Sequence, residues 1–203
     1  MSAAGGLEPL GPAAALVVVD MQRLFAEATA WQVPTLSAIV PAVRRLIEAR
    51  PEAALYTRFV TPPTADHATG RWQRYYQRWS TVTLDRMKAE MLDLMPELAA
   101  LARPGSIVDK TTFSSLADGP LAGLLKARGI DTLVLVGAET DVCVLATVLD
   151  AVDRGYRVVV AADAVTSGSL AAHAVVLDTV LPRFEQQVDV ASVDRILGVW
   201  QDR

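Results

Sequence analysis

Along the chain, short apolar runs alternate with longer segments in which apolar residues recur every three or four positions. The run Ala14-Ala15-Leu16-Val17-Val18-Val19-Asp20 is β-branched and continuously apolar up to its last residue. That is the pattern of a strand covered on both faces. Over residues 35–50 the apolar side chains Leu36, Ile39, Val40, Val43, Leu46 and Ile47 fall on one helical face. Further strands are predicted at residues 53–59, 106–109, 132–136 and 157–162, with a short last one at 188–189. Between them, helices are predicted at 84–101 with an interruption at Pro96, at 120–128 closed by Gly129, at 140–154 closed by Gly155, at 169–181 stopped by Pro182, and from Ser192 to about Trp200. Residues 60–83 hold Pro62, Pro63 and Gly70 and then the aromatic and basic string RWQRYYQRW, and read as an excursion carrying a short helix. The Gly-, Ala- and Pro-rich start reads as a flexible arm over residues 1–12, ahead of a single domain over 13–203.

Strands alternating with helices imply right-handed crossovers, a mostly parallel sheet and helices on both of its faces. Ligands of such sheets bind outside the carboxyl ends of the strands, where the strand order reverses. Polar residues that end apolar strands are therefore the first to inspect.

Composition narrows the function classes. The chain has 203 residues, 52% hydrophobic and 21% charged, with a net charge of -4. That is too apolar for a disordered chain, and it gives no electrostatic reason to expect nucleic acid. No apolar run approaches the ~20 residues that span a bilayer, and the start of the chain lacks the basic and apolar regions of a signal peptide. A cytoplasmic protein with no membrane partner is expected. Cys143 is the one cysteine, which excludes an internal disulfide, and His67 and His173 lie far apart in sequence.

Three reactive groups fall at carboxyl strand ends. Asp20 ends the first strand, Lys110 follows the third, and Cys143 lies just past the fourth, near the start of a helix. Backbone N–H groups and the dipole at a helix start favour an anion, and a nearby ammonium would do the same, so the pattern predicts a stabilised thiolate. Asp20 would move the proton. Each residue has a plainer reading. A lone cysteine is usually a small buried hydrophobe, a strand-end aspartate often caps a turn, and a lysine there is usually a solvated charge. It is the coincidence of all three at one sheet edge that favours a cysteine-based site.

The segments VVVDMQRLF, IVDKTTFSS and LVLVGAETDVCVLATVLDAVDRGYRVVVAADA resemble, in this order, those of the isochorismatase-like cysteine hydrolase family. The resemblance implies a three-layer α/β/α fold whose six-stranded sheet has the order 3-2-1-4-5-6. It places Asp20, Lys110 and Cys143 on the family's catalytic Asp, Lys and Cys. It implies a cis peptide between Ala138 and Glu139, with the backbone N–H groups of Glu139 and Cys143 facing an oxyanion. In that order Lys110 leaves an edge strand, two strands from Asp20, and must reach inward. The nicotinamidase branch carries a metal-binding Asp-x-His and a second His after the second strand. Here Asp66 and His67 are adjacent and no second His follows, so no catalytic metal and no cofactor are expected. Family members that cleave vinyl ethers lack this cysteine. Cys143 therefore favours hydrolysis of a C–N bond (amide, carbamoyl, ureido or lactam) in a small molecule through a thioester. Family members are usually homo-oligomers, dimers or higher.

Pocket candidates are Phe25, Arg58, Glu139 and, from the excursion, Arg71, Trp72, Tyr75, Tyr76 and Trp79. An arginine among aromatic rings could bind a carboxylate and a flat or apolar substrate, although the rings could equally pack beneath a loop or between subunits. His173 reads as structural and His67 as exposed. Two rival readings remain at this point: vinyl-ether hydrolysis with Cys143 as a bystander, and a non-catalytic binding or assembly protein that keeps the fold.

Overall fold

In a computed structural model of the chain, which describes residues 6–117 and 119–200, the apolar runs form one parallel sheet. Its strands are β1 (Ala14–Val19), β2 (Ala54–Phe59), β3 (Ile107–Lys110), β4 (Thr132–Ala138), β5 (Arg157–Thr166) and β6 (Val188–Ala191), in the order β3-β2-β1-β4-β5-β6. Every residue of β1 and β4 is buried, which explains their continuous apolar sequence: a central parallel strand is covered on both faces. The helices are α1 (Arg23–Ala26), α2 (Leu36–Ala49), α3 (Arg71–Arg78), α4 (Pro96–Ala99), α5 (Pro120–Ala127), α6 (Leu145–Asp153), α7 (Leu170–Val175) and α8 (Val193–Val199). The predicted face of α2, from Leu36 to Ile47, is the face it buries, while Pro41 looks outward. Pro41 costs that helix one internal hydrogen bond, which the buried face offsets. Among the described residues no helix is long and apolar enough to cross a membrane.

Four expectations change. Residues 84–101 are not one helix: a 3-10 turn at Ala89–Leu92 precedes α4, and Pro96 opens that helix. Proline fits a first turn, where its missing N–H would have no partner anyway. β5 runs four residues further than its apolar core, past a register shift against β4. After α7 the chain keeps turning through Val176–Val180 and Leu181–Phe184, so Pro182 starts a turn where it was expected to stop a helix. The arm is not loose at Leu10, which is buried and donates its N–H to Val199 O at 3.0 Å. Residues 1–5 of the expected arm lie outside the described residues.

β1 continues to β2 on one side and β4 lies on its other side, so strand order reverses between β1 and β4. The crevice at the carboxyl ends of these two strands receives Asp20 and the turn that carries Cys143. The two strands pack closely there. Gly137 has φ 109°, and a Cβ added to it would lie 2.1 Å from Val19 O, directly before Asp20. Gly137→Ala is expected to destabilise the protein by well over ~1 kcal/mol, read as a lowered urea midpoint with an unchanged m-value.

Candidate active site

Asp20 sits one residue beyond β1 with φ 51° and is fully buried. Thr57 on β2 holds it twice. The Thr57 hydroxyl donates to Asp20 Oδ1 at 2.7 Å and accepts the Asp20 N–H at 3.3 Å. Gln22, two residues on, fastens the end of β2: its Oε1 accepts the Phe59 N–H at 2.7 Å, and its Nε2 donates to Phe59 O at 3.2 Å and Leu92 O at 2.8 Å.

Lys110 resolves the reach that an edge-strand position demanded. Its neighbour in register on β2 is Phe59, and its stem crosses the end of that strand with Nζ 4.7 Å from the centre of the Phe59 ring. The ammonium then lies 2.8 Å from Asp20 Oδ2, with both side chains about 1% exposed. It donates to Thr112 O at 2.9 Å and Phe113 O at 3.1 Å. Asp20 Oδ2 meets it as an ion pair, without an aligned hydrogen-bond donor among the described residues. A lone pair on Oδ2 therefore remains for a proton.

Cys143 lies in the π-helical turn Thr140–Val144 that follows β4, and is 6% exposed. Asp20 and Lys110 both act on its side chain, through charge and through hydrogen bonding. Burial pushes its thiol well up, the Asp20 carboxylate pushes it further, and Lys110 opposes both without prevailing. Burial and Asp20 thus work against the thiolate expected from the sequence, and Lys110 works for it. Burial also opposes the charge on Lys110, but the charges of Asp20 and Cys143 outweigh it and raise its pKa.

Cys143 opens into a cavity of about 240 Å³. Of the predicted pocket residues, Phe25, Tyr75, Trp79 and Glu139 line it. Trp72 and Tyr76 face a neighbouring hollow beside Pro62, Pro63 and His67. Arg71 is exposed at the start of α3. Arg58 is spent on Asp109, at 2.7 and 2.9 Å, and on Asp93 at 3.4 Å, so it is not a pocket residue. Sequence reasoning missed Trp31, Phe59 and Phe113 in the lining. Phe59 ends β2 and Phe113 comes three residues after Lys110, so the strand-end rule that found Lys110 could have found both. Trp31 lies in a loop, and nothing local marks it. The Ala138–Glu139 peptide is cis. Glu139 Oε1 accepts the Gly168 N–H at 2.9 Å, and its pKa is raised, first by burial and then by Asp141, against the hydrogen bonds from Gly168 and Ser167. His173 Nδ1 lies 2.9 Å from Thr140 Oγ1 and steadies the cysteine turn. His67 is exposed and bonds Thr64.

The metal known from the nicotinamidase branch has no donor set here. His67 Nδ1 is engaged by Thr64 and Asp66 by Gln73. Among the described residues no three His, Cys, Asp or Glu side chains gather to hold an ion.

The family model for the isochorismatase domain matches residues 14–192. The chain belongs to the isochorismatase family. A ureidoacrylate amidohydrolase of Methylobacterium radiotolerans is 38% identical over 103 residues, covering 50% of this chain and 40% of that protein. Another, from Stutzerimonas stutzeri, is 26% identical over 94% of this chain and 81% of its own length. A cysteine hydrolase of Pseudomonas syringae pv. phaseolicola superposes with a TM-score of 0.80 at 26% identity, covering 98% of this chain and 100% of that one.

A thiol held neutral largely by burial and by Asp20 should respond to loss of that carboxylate. At pH 7.5, iodoacetamide should label wild-type Cys143 no faster than a free model thiol. Asp20→Asn removes the charge that raises the thiol pKa and leaves Lys110 acting unopposed, so labelling should accelerate severalfold. Peptide mass spectrometry reads the rate, and circular dichroism checks that the variant is folded.

Proposed function

We propose that the protein is a cysteine hydrolase that cleaves a C–N bond of a small molecule, without a metal, through a thioester on Cys143. The observation that carries this reading is the buried Asp20–Lys110 ion pair acting on Cys143, which itself lines a cavity. The amidohydrolase names among its relatives support the bond type. A cavity of about 240 Å³ falls below the ~300–1,000 Å³ usual for drug-sized ligands, which argues for a small substrate.

In the proposed cycle, Asp20 Oδ2 takes the thiol proton as the sulfur attacks the carbonyl carbon. Proton transfer coupled to attack suits a thiol that is neutral at rest. The backbone N–H groups of Glu139 and Cys143 are assigned to the oxyanion that forms. As the C–N bond breaks, the nitrogen leaves with the proton from Asp20. Water then attacks the thioester and gives a proton to Asp20. The C–S bond breaks, the acid departs, and the proton returns to the sulfur. Lys110 stays charged throughout. It balances the carboxylate when the sulfur is neutral, and the sulfur when Asp20 is protonated.

A bystander role for Cys143, as vinyl-ether hydrolysis would have it, fits poorly with a sulfur that both faces the cavity and touches the acid. We further assign the protein to the cytoplasm, where its one cysteine stays reduced. We also expect it to self-associate through the exposed apolar side chains Leu170 and Val175 on α7, which are 61% and 54% exposed.

In ammonia-release screening of a diverse amide panel, Cys143→Ala should show no turnover of any substrate the wild type accepts. Asp20→Asn should lose ~10²–10⁴-fold in kcat/KM, the usual contribution of a positioned acid–base group. Rapid-quench mass spectrometry should find an acyl adduct on Cys143. Full activity of Cys143→Ala would remove the covalent route.

A further inference from the structure

The charged groups on and behind the cavity wall do not balance. Asp20 and Lys110 offset each other in their ion pair, 2.8 Å apart. Glu139 remains, and its carboxyl takes only a backbone N–H from Gly168 and a hydrogen bond from Ser167. Among the described residues no arginine, lysine or histidine pairs with it. Asp141, close enough to raise its pKa, adds more of the same sign.

The rest of the wall is aromatic. Phe25 and Trp31 stack with centroids 6.1 Å apart, and Tyr75 lies 5.8 Å from Trp31. Trp79 and Phe113 add two more aromatic rings to the lining. The Tyr75 hydroxyl is pushed up to about 12, first by burial and then by the charges of Cys143 and Glu139. A ring of π-faces with a single carboxylate is the arrangement that attracts organic cations, and a low-dielectric site with excess negative charge repels anions. Two cations oppose this: Lys110, which Asp20 pairs, and Arg78, whose guanidinium lies 5.1 Å from the centre of the Trp79 ring. Arg78 is exposed and is not part of the cavity lining.

We infer that this cavity selects amides that carry a fixed positive charge, an alkylammonium held between the aromatic rings and the Glu139 carboxylate while the scissile carbonyl faces Cys143. The inference rests on the C–N hydrolase reading and gives it a substrate class. It also separates this protein from relatives named for ureidoacrylate, which is itself a carboxylate.

Three primary amides of matched length test it: 4-(trimethylammonio)butanamide, its neutral carbon isostere 5,5-dimethylhexanamide, and glutaramate. Ammonia release should give kcat/KM for the cation about tenfold or more above the isostere, with glutaramate slowest. Glu139→Gln should lower the cation-to-isostere ratio at least severalfold. That ratio cancels any general effect of the substitution on turnover. Equal rates for the first two, or an unchanged ratio in Glu139→Gln, would overturn the inference. Faster hydrolysis of glutaramate would also overturn it, and loss of that preference in Arg78→Ala would pass the selecting role to Arg78. Calorimetric titration of Cys143→Ala with the same amides separates binding from chemistry. Tighter binding of the cation with no turnover by the wild type would sink the hydrolase reading and keep the charge selection. Binding of the cation no tighter than the isostere would sink the selection alone.

Discussion

A buried carboxylate and a buried ammonium face each other across the end of β2, and most of the site is arranged to hold them there. Neither charge could stay ionised alone at that depth. Together they stand only because other groups satisfy what the pair leaves over. Thr57 occupies one oxygen of Asp20, and two loop carbonyls after β3 take hydrogens from Lys110. The Phe59 ring supports the ammonium from the side. Removing one partner from such a pair leaves a bare charge in low dielectric, typically at a cost of ~3–5 kcal/mol. The pair is thus a structural constraint as well as a chemical one, since it ties an edge strand to the central strand.

The same pair decides the state of the sulfur. A lysine facing a cysteine by itself would favour the thiolate. Here its charge is shared with an aspartate that touches the same thiol, and burial adds to the bias. In the proposed cycle the nucleophile is formed as it is used, by proton transfer to Asp20. The design needs no exposed, permanently reactive thiol, and it leaves Asp20 free to carry one proton back and forth. Glu139 stands apart from this balance. Its backbone belongs to the turn that presents Cys143, while its carboxyl contributes a charge that no side chain cancels. The chemistry and the electrostatic character of the cavity are therefore set by different atoms of the same short segment.

The cavity wall comes from places that the sheet does not organise. Trp31 comes from the loop between α1 and α2, Tyr75 and Trp79 from α3 and its end, and Phe113 from the loop after β3. These rings contact one another, as in the Trp31–Phe59 and Trp31–Tyr75 pairs at 5.8 Å. A change in one loop would therefore move rings contributed by others. Asp20, Lys110 and Cys143 are anchored on strand ends and one turn, whereas most of the aromatic wall is carried on loops and α3.

What the sequence settled by itself was whatever follows from local period and position. Continuous β-branched runs specify strands buried on both faces, and their alternation with amphipathic helices specifies a parallel sheet with its crevice at the carboxyl ends. That put Asp20, Lys110 and Cys143 at or just past carboxyl strand ends, and the resemblance of their segments to the isochorismatase family singled them out. Residues 84–101 misled because their apolar spacing suits a helix, while contacts to distant segments, such as Leu92 O with Gln22, fix a different path. Arg58 misled because its partner Asp109 is on the neighbouring strand, 51 residues away in sequence. The protonation state of Cys143 could not be read locally at all, since it depends on how burial and two opposite charges, brought together from three strand ends, offset one another. Through-space energies of that kind follow distances, and distances between remote residues exist only once the chain has folded.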